Sequence, residues 1–94
     1  MLRQDNDRLC ITVPMAIRQA ATLLPAGLAT LQAKNLRIID LAEVSEVDSS
    51  ALAVLCAWLR QARQTGRALV ISNPPPGLQA LADLYDLSDI LPLV

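Results

Sequence analysis

The sequence predicts a small α/β domain with a largely parallel central sheet. Apolar residues switch repeatedly along the chain between the two-residue period of strands and the longer period of helices. The predicted order is strand, helix, strand, helix, strand, helix and a short tail, which favours a parallel sheet with helical crossovers. A chain of 94 residues, 53% hydrophobic and 18% charged, is expected to form one compact domain over 1–94.

The first strand and helix are predicted from a change of period near Pro14. The segment "RLCITV" (8–13) alternates as a half-buried strand does, and Pro14 follows it. Beyond it, apolar residues recur at three- and four-residue steps, as in a helix packed on one face. The residues of this stripe are Ile17, Ala20, Ala21, Leu24, Leu28 and Leu31. Pro25 lies within the stripe and predicts a kink or two abutting helices.

The second half of the chain repeats the alternation. "LRIIDL" (36–41) reads as an interior strand, and a helix is predicted from Ser50 to Gln64, with Gly66 as its C-cap. "RALVIS" (67–72) is the next predicted strand. A third helix is predicted over 78–87, because Leu78, Leu81, Ala82 and Tyr85 would lie along one helical face. The remaining segments are a rigid "NPPPG" connector and a terminal "DILPLV" that is expected to form a short strand or a turn.

Composition argues against several classes of function. The net charge is −1 with both signs interspersed, so we expect no nucleic-acid partner. The chain has no histidine and only scattered glycines, so it offers no imidazole base and no phosphate-binding loop. Cys10 and Cys56 lie in apolar segments and are expected to be buried free thiols. We therefore expect no metal and no cofactor.

The chain is expected to be cytoplasmic, without direct insertion into a membrane. Its charged start, "MLRQDNDRLC", has no apolar core of a secretory signal. Its longest apolar run, from Ala51 to Leu59, is too short to cross a bilayer.

The segment "SEVDSSALAVLCAWL" (45–59) carries the strongest functional signal. Asp48, Ser49 and Ser50 stand directly before the apolar run, where one of them can cap the helix by accepting a backbone N–H. A hydroxyl at a helix N-terminus is also a candidate phosphorylation site, because a phosphate there would meet the positive end of the helix dipole. Both interpretations are compatible with the sequence.

A helical wheel of this segment predicts an apolar surface beside the hydroxyls. Leu52, Leu55, Cys56 and Leu59 form one narrow stripe, which we assign to the sheet. Val54 lies nearly opposite this stripe, while Ala51 and Trp58 lie to one side. We expect an exposed Val54–Trp58 patch, comprising Ala51, Val54 and Trp58, which would suit an interface. Packing of Trp58 under the first helix is the alternative.

The segment "IIDLAEVSEVDSSALAVL" (38–55) resembles the signature of STAS domains, the family of sulfate-transporter and anti-sigma-factor-antagonist domains. "RALVISNPPPGLQALADLYDL" (67–87) and "VPMAIRQAATLLPAGLATL" (13–31) extend the resemblance over nearly the whole chain. It implies the SpoIIAA-like fold, with a mostly parallel sheet. The sequence departs from the pattern in two ways: Ala51 stands where glycine is common, and the short N-terminal region predicts that one edge strand is missing.

The resemblance implies a protein that binds other proteins and has no active site. "LADLYDLSDILP" and the "LLP" at 23–25 are most similar to a branch that serves as the small cytoplasmic subunit of ABC transporters for outer-membrane lipid asymmetry. The implied partner is the transporter's ATPase subunit and, indirectly, its membrane permease. The residues expected at this contact are Asp48, Ser49, Ser50, Ala51, Val54 and Trp58.

Two other functions remain open from the sequence. In anti-sigma-factor antagonists of the family, the serine at the position of Ser49 is phosphorylated by a kinase-type anti-sigma factor, which makes the motif a partner switch. A carboxylate-based hydrolase using Asp40, Glu46 and Asp48 is the third hypothesis, and no nucleophile–base pair supports it.

Overall fold

A computed structural model describes the whole chain, Met1–Val94, as a mixed sheet with helices packed against it. The strands are β1 (Leu2–Asp5), β2 (Arg8–Ile11), β3 (Ile38–Asp40) and β4 (Val70–Ser72). The helices are α1 (Ile17–Ala33), α2 (Ser49–Gln64) and α3 (Pro76–Leu84). The sheet order is β1-β2-β3-β4, in which β2, β3 and β4 are parallel. The predicted α/β class and the mostly parallel sheet are confirmed.

The N-terminal edge strand is present, so the prediction that it is missing was wrong. β1 pairs antiparallel with β2, from Leu2 opposite Ile11 to Asp5 opposite Arg8. The hairpin turns at Asn6, whose φ of 58° lies in the left-handed region that asparagine tolerates. β1 is an edge strand, and three of its four side chains are exposed. Leu2 is its only apolar residue. Its sequence therefore carries no strand-like alternation.

The two faces of the sheet differ in chemistry. Leu9, Ile39 and Ile71 occupy matching positions on β2, β3 and β4, and all are fully buried in the main apolar core. Alternate residues point to the opposite face, where Asp40 and Ser72 are only half-buried. The three parallel strands are shorter than predicted, with four residues in β2 and three each in β3 and β4.

α1 is one helix that continues through Pro25, rather than two. The ring of Pro25 is exposed, whereas the fully buried face of α1 consists of Leu23, Gly27 and Leu31. The proline therefore does not interrupt the face that packs on the domain. The predicted stripe was wrong at two positions: Ile17 begins the helix with 71% of its surface exposed, and Ala21 is also exposed.

Trp58 packs between α2 and α1. Its indole is fully buried, and its Nε1–H donates a hydrogen bond of 3.1 Å to the carbonyl oxygen of Leu24. The ring lies against Gly27, where a Cβ atom would overlap the indole. Glycine at this position thus permits the two helices to approach closely. The indole has both apolar contacts and a partner for its only polar group.

The predicted exposed Val54–Trp58 patch was wrong. Val54 is 1% exposed, and Ala51 and Trp58 are fully buried. The wheel placed one neighbour beside α2, the sheet, whereas α1 covers a second side of the same helix. The sheet, α1 and α3 together bury a broad arc of α2, so the additional apolar residues of this helix belong to the core and not to an exposed interface. The interpretation that Trp58 packs under the first helix is the one that the structure bears out.

The helix ends follow the expected capping chemistry. Gly66 follows α2 with a φ of 75°, which confirms the predicted C-cap. The N–H groups of Gly66 and Arg67 donate hydrogen bonds to the carbonyls of Arg63 and Ala62, respectively, which is the pattern of a Schellman motif.

At the end of the chain, Leu93 forms a parallel bridge with Ile71, so the tail adds one paired position beside β4.

We predict that Trp58→Ala lowers the free energy of unfolding by about 3–5 kcal/mol, because it removes a buried ring and leaves a cavity between α1 and α2. A loss of that size is a large share of the stability of a small domain. Urea titration followed by far-UV circular dichroism measures it. Arg60→Ala, on the exposed side of the same helix, is the control and should stay within about 0.5 kcal/mol of the wild type. Wild-type stability of Trp58→Ala would show that the indole is not a core residue.

Candidate functional site

A single carboxylate holds the starts of two helices together. Asp48 is the N-cap of α2, where its Oδ1 accepts a hydrogen bond of 2.8 Å from the backbone N–H of Ser50. Its Oδ2 accepts a second hydrogen bond of 3.0 Å from the N–H of Ile17, the first residue of α1. The predicted cap is therefore confirmed. Asp48 also satisfies an N–H of α1, whose own N-cap residue, Ala16, has no side chain that could do so.

The two segments that lead into these helices are also joined by their backbones. The N–H of Met15 donates to the carbonyl of Glu46 at 2.9 Å, and the N–H of Asp48 donates to the carbonyl of Met15 at 3.3 Å. These bonds form a parallel bridge between Met15 and Val47. The start of α2 is consequently fixed from both sides, and Ser49 has a defined position on the surface.

The environment of Asp48 favours its ionised form. The N–H of Ile17 and then that of Ser50 lower the pKa of the Asp48 carboxyl below its usual 3.8. Each N–H donates to the negative charge, and the positive ends of two helix dipoles lie at the same place. A carboxylate whose pKa is lowered by folding stabilises the native state above its ordinary pKa and loses that effect as the pH falls below it.

Ser49 is the exposed member of the Asp-Ser-Ser motif. Its side chain is open to solvent at the first position of α2, while Asp48 and Ser50 are half-buried. One turn later Ala53 is also exposed on the same side of the helix. Ile17, held beside Asp48 through its backbone, adds an exposed apolar side chain at this end of the helical layer. We call Ile17, Ser49 and Ala53 the Ser49 surface.

The six residues predicted to contact a partner therefore have different positions. Asp48, Ser49 and Ser50 lie together at the start of α2, whereas Ala51, Val54 and Trp58 belong to the core behind it. Ile17 and Ala53 were not predicted. Ile17 was assigned to the packed stripe of α1, and nothing in the sequence shows that its side chain is exposed.

A second group of polar residues surrounds Asp40 at the end of β3. Its Oδ1 accepts hydrogen bonds of 3.0 Å from the side chain of Asn73 and from the N–H of Ala42. Its Oδ2 lies 3.1 Å from Arg8, which also donates to the hydroxyl of Ser72. The Asn73 amide is the main reason that the pKa of Asp40 is lowered, and Arg8 contributes further.

Two of the three carboxylates named in the hydrolase hypothesis, Asp40 and Asp48, thus have structural partners, whereas Glu46 is exposed. Asp40 ties the strand ends and their loops, and Asp48 ties two helix starts. No three His, Cys, Asp or Glu side chains lie close enough together to hold a metal ion.

Neither thiol forms a disulfide: Cys10 is buried as predicted, and Cys56 is only half-buried. None of the three helices has both the length and the hydrophobicity needed to cross a bilayer.

The fold and the placement of the motif define the class of protein. The sequence profile of the family described as "Mlab, STAS domain" matches residues 3–94. The chain belongs to this family of STAS domains.

The chain is also similar to individual relatives and solved structures. The chain is 29% identical over 96 aligned residues to the intermembrane phospholipid transport system binding protein MlaB of Haemophilus influenzae, covering 94% of this chain and 90% of that protein. It also resembles the crystal structure of a putative anti-sigma factor antagonist from Thermotoga maritima, with a TM-score of 0.79, 16% identity and coverage of 99% and 83%. The unphosphorylated anti-sigma factor antagonist SpoIIAA gives a TM-score of 0.74 at 11% identity, covering 100% of this chain and 86% of that one. These two structures establish the likeness of fold.

We predict that Asp48→Asn destabilises the domain most near neutral pH and that the difference from the wild type shrinks as the pH falls below 3.8. The wild type loses the ionised carboxylate over that range, whereas asparagine is uncharged throughout. Urea titrations at several pH values, followed by the fluorescence of Trp58, measure the difference. Asp5→Asn, at an exposed position of β1, is the control. A difference for Asp48→Asn that does not vary with pH would contradict the assigned role of its charge.

Proposed function

We propose that this chain is a non-enzymatic STAS subunit that binds the ATPase of an ABC transporter for phospholipids. The observation that carries the proposal is its similarity to the MlaB protein of Haemophilus influenzae over nearly the full length of both chains. Through the ATPase it would be connected to the membrane permease and take part in maintaining outer-membrane lipid asymmetry. The chain itself would be cytoplasmic and peripheral to the inner membrane.

The Ser49 surface is the proposed contact with the ATPase. Ser49 and Ala53 are small, so a partner backbone can approach α2 closely at its first turns. Ile17, 71% exposed, supplies an apolar side chain that would lose its contact with water on binding. The hydroxyl of Ser49 can donate one hydrogen bond and accept others without carrying a charge that must be desolvated. This combination suits a compact apolar contact with a polar centre.

The buried residues of the motif have a supporting role in this proposal. Asp48 fixes the relative position of the first turns of α1 and α2 through its two hydrogen bonds. Ala51, Val54 and Trp58 hold the body of α2 in the core. Their substitution would therefore weaken binding by disturbing the fold, whereas substitution of Ser49 or Ala53 would act on the contact itself.

We predict that Ser49→Glu and Ala53→Glu each reduce the affinity for the ATPase subunit by about tenfold or more, because each places a charge in a desolvated contact. Both side chains are exposed in the free chain, so the variants should fold as the wild type does. The affinity is measured by titrating the purified ATPase subunit against the labelled chain, after circular dichroism has verified the fold.

Matched controls are available elsewhere on the surface. Ser88→Glu, after α3, and Ala29→Glu, near the end of α1, make the same two changes at exposed positions and should bind with wild-type affinity. If Ser49→Glu and Ala53→Glu bind as well as these controls, the Ser49 surface is not the contact. If the wild-type chain itself does not bind the ATPase, the proposed function is wrong.

A second function is favoured by the exposed hydroxyl of Ser49. In this alternative the chain is an anti-sigma factor antagonist, and a kinase-type anti-sigma factor phosphorylates Ser49. A phosphate would add about two negative charges at neutral pH, next to the ionised Asp48, and would repel an acidic partner. Purification from cells, with mass spectrometry of both the bound proteins and the Ser49 peptide, distinguishes the two. A kinase together with phosphate on Ser49 would favour the switch, and an ATPase with unmodified Ser49 would favour the transporter subunit.

A further inference from the structure

A groove runs between the end of α2 and the C-terminal segment that follows α3. It consists of two adjoining hollows of about 330 and about 260 Å³, which share Leu59, Arg63 and Ile90 as lining residues. Leu59 is nearly buried and forms the floor, whereas Ile90 is 50% exposed and Leu87 is half-buried. We call this feature the α2–tail groove.

The charged side chains that line this groove are all positive. Arg60, Arg63 and Arg67 contribute to its lining, and no carboxylate does. Arg67 is engaged, because its guanidinium donates to carbonyl oxygens at the end of α1. The ion pairs of the chain are those of Arg3 with Glu43 and Arg8 with Asp40. Arg60 and Arg63 are therefore exposed cations without a carboxylate partner, beside apolar side chains.

We infer that the α2–tail groove binds an acidic amphipathic helix of a protein partner. The apolar face of such a helix would cover Leu59 and Ile90, and its carboxylates would pair with Arg60 and Arg63. Recognition by a narrow apolar strip with charges beside it gives both affinity and orientation. Arg63 lies about 20 Å along the axis of α2 from Ser49, so the groove is separate from the Ser49 surface.

Other occupants fit the charges less well. In a symmetric dimer whose two-fold axis passes through this groove, Arg60 and Arg63 would lie close to their own copies, and the like charges would repel. An anionic membrane is broad and would also meet the exposed carboxylates of Asp83, Asp86 and Asp89, in and just after α3. A single helix can be oriented with its carboxylates toward Arg60 and Arg63 and away from these three residues. The charge pattern thus favours a protein segment over a second copy and over a lipid surface.

A charge exchange tests this inference with the full-length chain. The probe is a synthetic peptide of about 18 residues, with leucines along one helical face and glutamates on both sides of it. We expect it to bind the wild type and to lose about tenfold or more in affinity for the double variant Arg60→Glu/Arg63→Glu. The same peptide with lysines in place of glutamates should prefer the double variant. Fluorescence anisotropy of the labelled peptides gives the affinities.

The control variant is Arg18→Glu/Arg37→Glu, which makes the same change in net charge at two exposed arginines outside the groove. It should bind the glutamate peptide as the wild type does. Equal losses in both double variants, or no binding of the peptide to the wild type, would overturn the inference. So would binding of vesicles with one-third phosphatidylserine that is lost in Arg60→Glu/Arg63→Glu, or dimerisation of the chain that is lost in that variant.

Discussion

The close packing of Trp58 against Gly27 is the contact on which the arrangement of the helices depends. The indole fills the space that a side chain at position 27 would occupy, and its N–H reaches the backbone of Leu24 on α1. The two helices are thereby joined through one ring that has both apolar and polar partners. Because the chain has no phenylalanine and only one other aromatic residue, no other side chain of this size is present in the core.

This packing decides which side of α2 is available to other molecules. With α1 on one side and the sheet on another, the large apolar residues of α2 are covered, including Val54 and Leu55. The exposed residues that remain run from Ser49 and Ala53 at one end to Arg60 and Arg63 at the other. One helix therefore presents a small, uncharged surface at its start and a basic, apolar groove at its end.

Asp48 complements this contact at the starts of the helices. The tryptophan joins the helices along their length, and the carboxylate joins their first residues through two backbone N–H groups. A partner that binds at Ser49 would thus meet a surface whose backbone is already ordered. Preorganisation of this kind reduces the entropy lost on binding.

The sequence predicted the elements that have regular apolar spacing and a clear end signal. The helix after Asp48 and its glycine C-cap were predicted because a capping carboxylate, an apolar repeat and Gly66 all agree. The edge strand was missed because its side chains are mostly polar and exposed.

Contacts between elements were beyond the reach of local pattern. The wheel of α2 showed too many apolar residues for one neighbour, but it did not show that a second neighbour was α1. The Val54–Trp58 patch was therefore inferred where the chain has core. Similarly, the link from Asp48 to Ile17 joins residues far apart in sequence, and no spacing rule predicts it.

Hydrogen–deuterium exchange of the chain, alone and with the purified ATPase subunit, tests whether the partner binds at the starts of α1 and α2. The first N–H groups of a helix lack intrahelical acceptors and are sensitive to coverage by a partner. We predict slower exchange in the first turns of α1 and α2, around Ile17 and Ser49, with β1 unchanged. Protection confined to β1 or to the face of the sheet that carries Asp40 and Ser72, with the starts of both helices unaffected, would contradict the proposed contact.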